Sequence, residues 1–203
     1  MKQLVQKQLA QSITTMQAVL NDQHITDTIV TIGELTAHAM RSGHKLLVAG
    51  NGGSAADAQH LVAEFVVRLT VNRPAMRAIA LTTDTSILTA AGNDFGYDSV
   101  FSRQIEALGQ PGDVFLGIST SGNSKNIVNA LIQAKKQGLT TIGFTGCNGG
   151  QMVPLCDHNI VIPSNVTMNI QESHLALEHI FCMVVERCTF GMDFDKQPKH
   201  LPE

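Results

Sequence analysis

The feature that most constrains the fold is a repeated alternation. Five strand-length apolar runs, at Lys45–Ala49, Ala78–Leu81, Val114–Ile118, Thr140–Phe144 and Asn159–Ile162, are partly β-branched, and helix-like segments separate them. Strands that alternate with helices are joined by crossovers, so the pattern predicts an α/β fold with a parallel sheet covered on both faces. Two more helical patterns, over residues ~2–20 and ~25–42, precede the first strand, and Gly43 supplies a stop for the second. A last helix is expected from about Met168 to Cys188. The polar, proline-containing residues 191–203 read as a flexible tail. With 203 residues and 43% hydrophobic content, the chain suits one core, so residues 1–190 are read as a single domain.

Composition removes several classes of function. A net charge of −3 and a pI near 6.2 leave no basic footprint, so nucleic acid is not an expected partner. The opening segment, MKQLVQKQLAQSITTMQAVL, has polar residues throughout and reads neither as a signal peptide nor as a membrane span. A cytoplasmic location without membrane contact is therefore expected. Cys147, Cys156, Cys182 and Cys188 show no CxxC spacing, which favours reduced thiols and disfavours zinc held by cysteine.

Chemistry concentrates where strands end. The stretch LVAGNGGSAADAQHLVAEFVVR, Leu47 to Arg68, runs from a strand through Gly50-Asn51-Gly52-Gly53-Ser54 into a helix. Glycines let backbone approach a ligand, and the opening amides of a helix attract an anion. His60 and Glu64, at i and i+4, share one helix face and offer a metal ligand and a base. A second loop, Gly117-Ile118-Ser119-Thr120-Ser121-Gly122-Asn123-Ser124, also follows a strand and opens a helix. Its hydroxyls and amides can hold a phosphate without lysine, although Ser124 or Asn123 can equally be a plain helix cap. Neither loop is a Walker A or dinucleotide fingerprint. Asn93-Asp94, expected in a glycine-flanked break between helical segments, could bind sugar hydroxyls or simply make a turn.

Four blocks in this order, GNGGSAADAQHLVAE, GNDFGYDSVFSRQ, GISTSGNSKNIVNAL and IQESHLALEH, closely resemble the phosphoheptose isomerase family of sugar-isomerase (SIS) domain enzymes, over nearly the whole chain. The resemblance implies a doubly wound five-stranded parallel sheet flanked by helices, with two N-terminal helices, assembled as a homotetramer. It implies isomerisation of D-sedoheptulose 7-phosphate to D-glycero-D-manno-heptose 7-phosphate via a cis-enediol, the first step towards ADP-heptose and the lipopolysaccharide core. It makes His60, Glu64, Gln171 and His179 ligands of one zinc ion per subunit. Substrate contacts would be Asn51, Gly52, Gly53, Ser54, Glu64, Asn93, Asp94, Ser119, Thr120, Ser121, Ser124 and Gln171. Glu64 would move the carbon-bound proton and His179 would serve the oxygens. Many relatives carry Arg where this chain has Asn169, which bears on local charge and substrate orientation.

Two other readings share these loops. Some relatives of this fold are non-catalytic tetramers that bind the bacterial replication initiator, but they typically lack the carboxylate at the position of Glu64. A regulator's sugar-phosphate sensor would need a DNA-binding segment, and none is read here. The last expectation concerns subunits: on one helix Gln171 and His179 stand about 12 Å apart along the axis and roughly 80° around it. Either Gln171 precedes the helix, or the two side chains reach one ion from different copies of the chain; the second is the expectation.

Overall fold

The computed structural model describes residues 1–191. Of the expected tail, all but Gly191 lies outside the described residues. Two long helices come first, α1 (Lys2–Asn21) and α2 (Gln23–Arg41), with Asp22 between them accepting the Ile25 amide at 3.2 Å as the α2 cap. Gly43, at φ +89°, follows the end of α2 as expected. Five parallel strands then appear: β1 (Leu46–Ala49), β2 (Ala78–Ala80), β3 (Val114–Ser119), β4 (Thr140–Gly146) and β5 (His158–Ile162). Between and after them stand α3 (Gly53–Val66), α4 (Thr85–Asp94), α5 (Ser102–Leu108), α6 (Lys125–Lys136) and α7 (Thr167–Phe190).

The strand order is β2-β1-β3-β4-β5. Because side chains alternate across a strand, each strand feeds two cores. Leu46 and Val48 pack with Ile29 and Ile32 of α2, Leu61 and Phe65 of α3, and Phe181 and Val185 of α7. Leu47 and Ala49 face the other way, into a core with Ala91, Ile105, Ile127 and Leu131 of α4, α5 and α6. The sheet is thus covered on both faces, which explains why β1 and β3 read as unbroken apolar runs.

One buried ion pair fixes the helices that matter for the site. Arg73 donates Nε to Glu186 Oε1 at 2.8 Å, and its other nitrogens donate to the carbonyls of Phe65 and Glu64, each at 2.6 Å. A single guanidinium therefore ties the end of α3, which carries Glu64, to α7. The single charge-assisted bond to Glu186 and the bonds to backbone carbonyls together offset part of the cost of burying the charge, although Glu186 Oε2 is left without a partner.

Candidate active site

The chain leaves β1 to form β2 on one side and returns to form β3 on the other. The carboxyl ends of β1 and β3 therefore flank the topological switch point, where ligands bind in such sheets. The β1–α3 loop, Gly50 to Gly52, and the β3–α6 loop, Thr120 to Ser124, meet at this crevice. Gly52 adopts φ +57°, which favours glycine, and a Cβ on Gly53 would lie 2.5 Å from Gln171 Nε2, so a side chain there would displace the Gln171 amide. Neither α3 nor α6 has a side-chain cap, which leaves their opening amides to an anion.

The capping alternative for the second loop is not what the side chains do. Ser124 occupies the N-cap position of α6, but its hydroxyl pairs with Ser119 Oγ at 2.9 Å and caps nothing. Asn123 does not cap α6 either: its side-chain amide donates to the Ser121 carbonyl at 2.8 Å. Ser121 Oγ accepts the Asn123 amide at 3.2 Å, and the Thr120 carbonyl accepts the Gly146 amide at 3.0 Å. Ser54 is buried in the first turn of α3.

Beside these loops, α3 and α7 bring three metal-ligating side chains together. The ligand atoms of His60, Glu64 and His179 all lie within 4.8 Å of one another. His60 Nε2 stands 2.9 Å from His179 Nε2 and 3.4 Å from Glu64 Oε1, while Glu64 Oε2 is buried without a hydrogen-bond partner. Two imidazoles and a carboxylate in one cluster suit a borderline ion that takes N and O ligands. Gln171 lies within α7 rather than before it, beside Gly53 of its own chain. One of the two routes for Gln171 is thereby closed, and His179 meets His60 inside one chain. What remains of the shared-site expectation concerns Gln171 alone.

Asn93-Asp94 is corrected. These residues do not interrupt a helix but form the end of α4, which Asp84 caps through the Ile87 amide at 2.9 Å. Asn93 Nδ2 donates to Asp94 Oδ1 at 2.8 Å, on the surface. Their segment joins the crevice through Tyr97, whose hydroxyl donates to Asn51 Oδ1 at 3.1 Å.

Several site-lining groups escape sequence reasoning. Asn126, at the start of α6, exchanges two hydrogen bonds with Asn51 across 75 residues of sequence. Asp57, half-buried one turn before His60, and Glu178, fully buried next to His179, are carboxyls of this kind. Burial raises the Asp57 pKa against the pull of His60, and burial with the Asp57 charge pushes Glu178 up to about 8. Their sequence neighbours, one turn or one residue from proposed ligands, are the only signal that could have flagged them. Asn169 is buried and donates Nδ2 to Ser12 Oγ at 3.0 Å and to Glu172 Oε2 at 3.2 Å, joining α1 to α7. In place of a charge, this position carries a neutral link between helices.

A family model described as SIS domain matches residues 9–146. The chain is 49% identical over 191 residues to the phosphoheptose isomerase of Sulfurimonas denitrificans, covering 94% of this chain and 98% of that one. It is 47% identical to that of Aneurinibacillus thermoaerophilus, covering 96% and 98%. Among solved structures, the phosphoheptose isomerase from Neisseria gonorrhoeae superposes with a TM-score of 0.86 at 40% identity, over 91% of this chain and 98% of that one. The one from Francisella tularensis gives 0.88 at 31% identity, over 91% and 97%. With its sheet order, its paired loops and this likeness over nearly full length, the chain belongs to the phosphoheptose isomerase family of SIS-domain proteins.

Proposed function

We propose that the protein isomerises D-sedoheptulose 7-phosphate to D-glycero-D-manno-heptose 7-phosphate through a cis-enediol, as a cytoplasmic enzyme at the start of heptose supply for the lipopolysaccharide core. The observation that carries this reading is the cluster of His60, Glu64 and His179 beside two anion-receptive loops at the switch point of the sheet. The relatives' shared name points to the same reaction. The non-catalytic, initiator-binding alternative has no counterpart among the relatives described above.

The phosphate is held by the uncapped starts of α3 and α6 with the hydroxyls of Ser119, Ser121 and Ser124. Remote binding of this kind positions the reacting carbons. Glu64 takes a proton from one carbon of the open-chain sugar and returns it to its neighbour. Its two oxygens have separate surroundings: Oε1 faces His60, and Oε2 is buried without a partner. His179 moves protons at the substrate oxygens. General acid–base help of this type contributes about 10²–10⁴-fold.

His60, Glu64 and His179 would hold one zinc ion per subunit, with Gln171, which lies on the same helix as His179 and about 12 Å from it along the axis, joining as a fourth ligand from another copy of the chain. When bound, such an ion polarises the substrate carbonyl. A homotetramer is supported by the outer face of α1, where Val5, Leu9 and Ile13 are exposed at helical spacing. The cytoplasmic reading accords with the described helices, none of which is long and apolar enough to cross a membrane.

The test is incubation of purified protein with sedoheptulose 7-phosphate while the aldose product is followed by NMR. Product is expected with wild-type protein, and Glu64→Gln, nearly the same shape but unable to accept the proton, should slow its appearance by about 10²–10⁴-fold. Absence of aldose from zinc-loaded wild-type protein would overturn the assignment.

A further inference from the structure

Asn51 and Asn126 form a reciprocal amide pair across the switch-point crevice. Asn51 Nδ2 donates to Asn126 Oδ1 at 2.9 Å, and Asn126 Nδ2 donates to Asn51 Oδ1 at 2.8 Å. Asn126 is 3% exposed, and its Oδ1 also accepts the Ile127 amide at 3.0 Å. Asn51 Oδ1 also accepts the Tyr97 hydroxyl.

These contacts fix the polarity of the pair. A backbone amide can only donate, so Ile127 sets which side of the Asn126 amide is oxygen. That oxygen in turn sets which side of Asn51 is nitrogen. Both acceptor sites of Asn51 Oδ1 are then taken, by Asn126 and Tyr97, and one N–H of Asn51 Nδ2 stays available to a ligand. Asn51 can therefore meet a substrate through a donor and not through its oxygen.

We propose that Asn126 is a positioning residue for the sugar phosphate: it binds the β1–α3 loop to the β3–α6 loop and turns Asn51 so that a single N–H faces a substrate oxygen. This rests on the sugar-phosphate reading given above. Nothing in the local sequence of either loop announces the pairing; the adjacency of β1 and β3 creates it. Tyr97 holds the outer edge of the same pair and joins the α4–α5 connection to it.

The experiment is a double-mutant cycle read first by binding. On a Glu64→Gln background, where turnover is slowed by about 10²–10⁴-fold, the dissociation constant for sedoheptulose 7-phosphate is measured by calorimetry for the unaltered pair, Asn126→Asp, Asn51→Ala and both together. Asn126→Asp keeps the shape and the bond from Ile127 but sets a second carboxylate oxygen against Asn51 Oδ1. Binding should weaken about 10- to 100-fold, the loss expected when one well-placed donor is turned away. On Asn51→Ala the same change should cost less than about twofold, because a positioning residue has nothing left to position. An undiminished loss on that background, or no loss on the first, overturns the proposal. Should Asn126→Asp fail to fold by circular dichroism, Asn126→Ser takes its place in the cycle, since serine can still accept from Ile127 but cannot reach Asn51. Catalytic assays on the Glu64 background then separate the two readings: a coupled binding cycle without aldose formation leaves this proposal standing while the isomerase assignment falls. Absence of binding to the unaltered pair sinks both.

Discussion

At the scale of single residues, the site combines groups with different obligations. Ser119 and Ser124 satisfy each other at 2.9 Å, so neither hydroxyl is committed to holding the start of α6. Changing Ser119, Ser121 and Ser124 together to Ala should therefore leave the melting temperature nearly unchanged while raising KM and lowering kcat. Steady-state kinetics beside a thermal melt separate this from a capping role, which would lower stability and spare kinetics. His174 has the opposite character. It is buried against β4, donates Nε2–H to the Thr145 carbonyl at 3.0 Å, and burial, opposed by that contact, holds its pKa down to about 4. The folded chain refuses a proton that the unfolded chain accepts below about 6.5. Stability from this group is thus complete above pH 6.5 and falls as pH drops towards 4, by on the order of 3 kcal/mol at most. Urea midpoints should decline across that window in wild type. In His174→Phe the decline should be shallower, with a loss of about 1–3 kcal/mol already present at pH 7 from the unpaired carbonyl. Equal slopes in the two proteins would remove His174 as the cause.

At the scale of elements, the buried guanidinium between α3 and α7 invites a direct comparison. Arg73→Met should destabilise by about 3–5 kcal/mol, because Glu186 is left as an unpaired buried charge, whereas Arg73→Met combined with Glu186→Leu should recover much of that loss. Chemical denaturation of the two variants measures both quantities. The strands were legible for a simple reason. Where both faces of β1 and β3 are covered, the sequence can be apolar at every position, and such runs stand out. The ends of α4 were not legible, because Gly92-Asn93-Asp94 has the local chemistry of a turn while the Asp84 cap and the packing of Ala91 carry the helix through it. His60 and Glu64 could be paired from helical spacing alone. The meeting of His60 with His179, and of Asn51 with Asn126, depends on strand order, which no local pattern encodes.

For the whole molecule, α1 is the element least accounted for by one chain. Of its 20 residues only Thr15 and Val19 are buried, while Val5, Leu9 and Ile13 lie exposed along one side. An isolated helix draws most of its stability from packing, so this face is expected to be covered by a second copy. Leu9→Glu with Ile13→Glu should shift sedimentation from a four-subunit species to smaller ones, and an unchanged profile would move the interface elsewhere. The separation of His60 from His179 has a further consequence. Because they stand 119 positions apart in the chain, one near the front of the fold and one on its last helix, an ion that binds both has no comparable site on an unfolded chain. Binding energy therefore becomes folding energy: at a free metal concentration 100 times the dissociation constant, about 2.7 kcal/mol is added to the native state. Removing the ion with a chelator should lower the melting temperature of wild type and change little in His179→Ala. With an ion bound as proposed, the last helix acts as a latch, and the supply of metal helps to decide how firmly it closes.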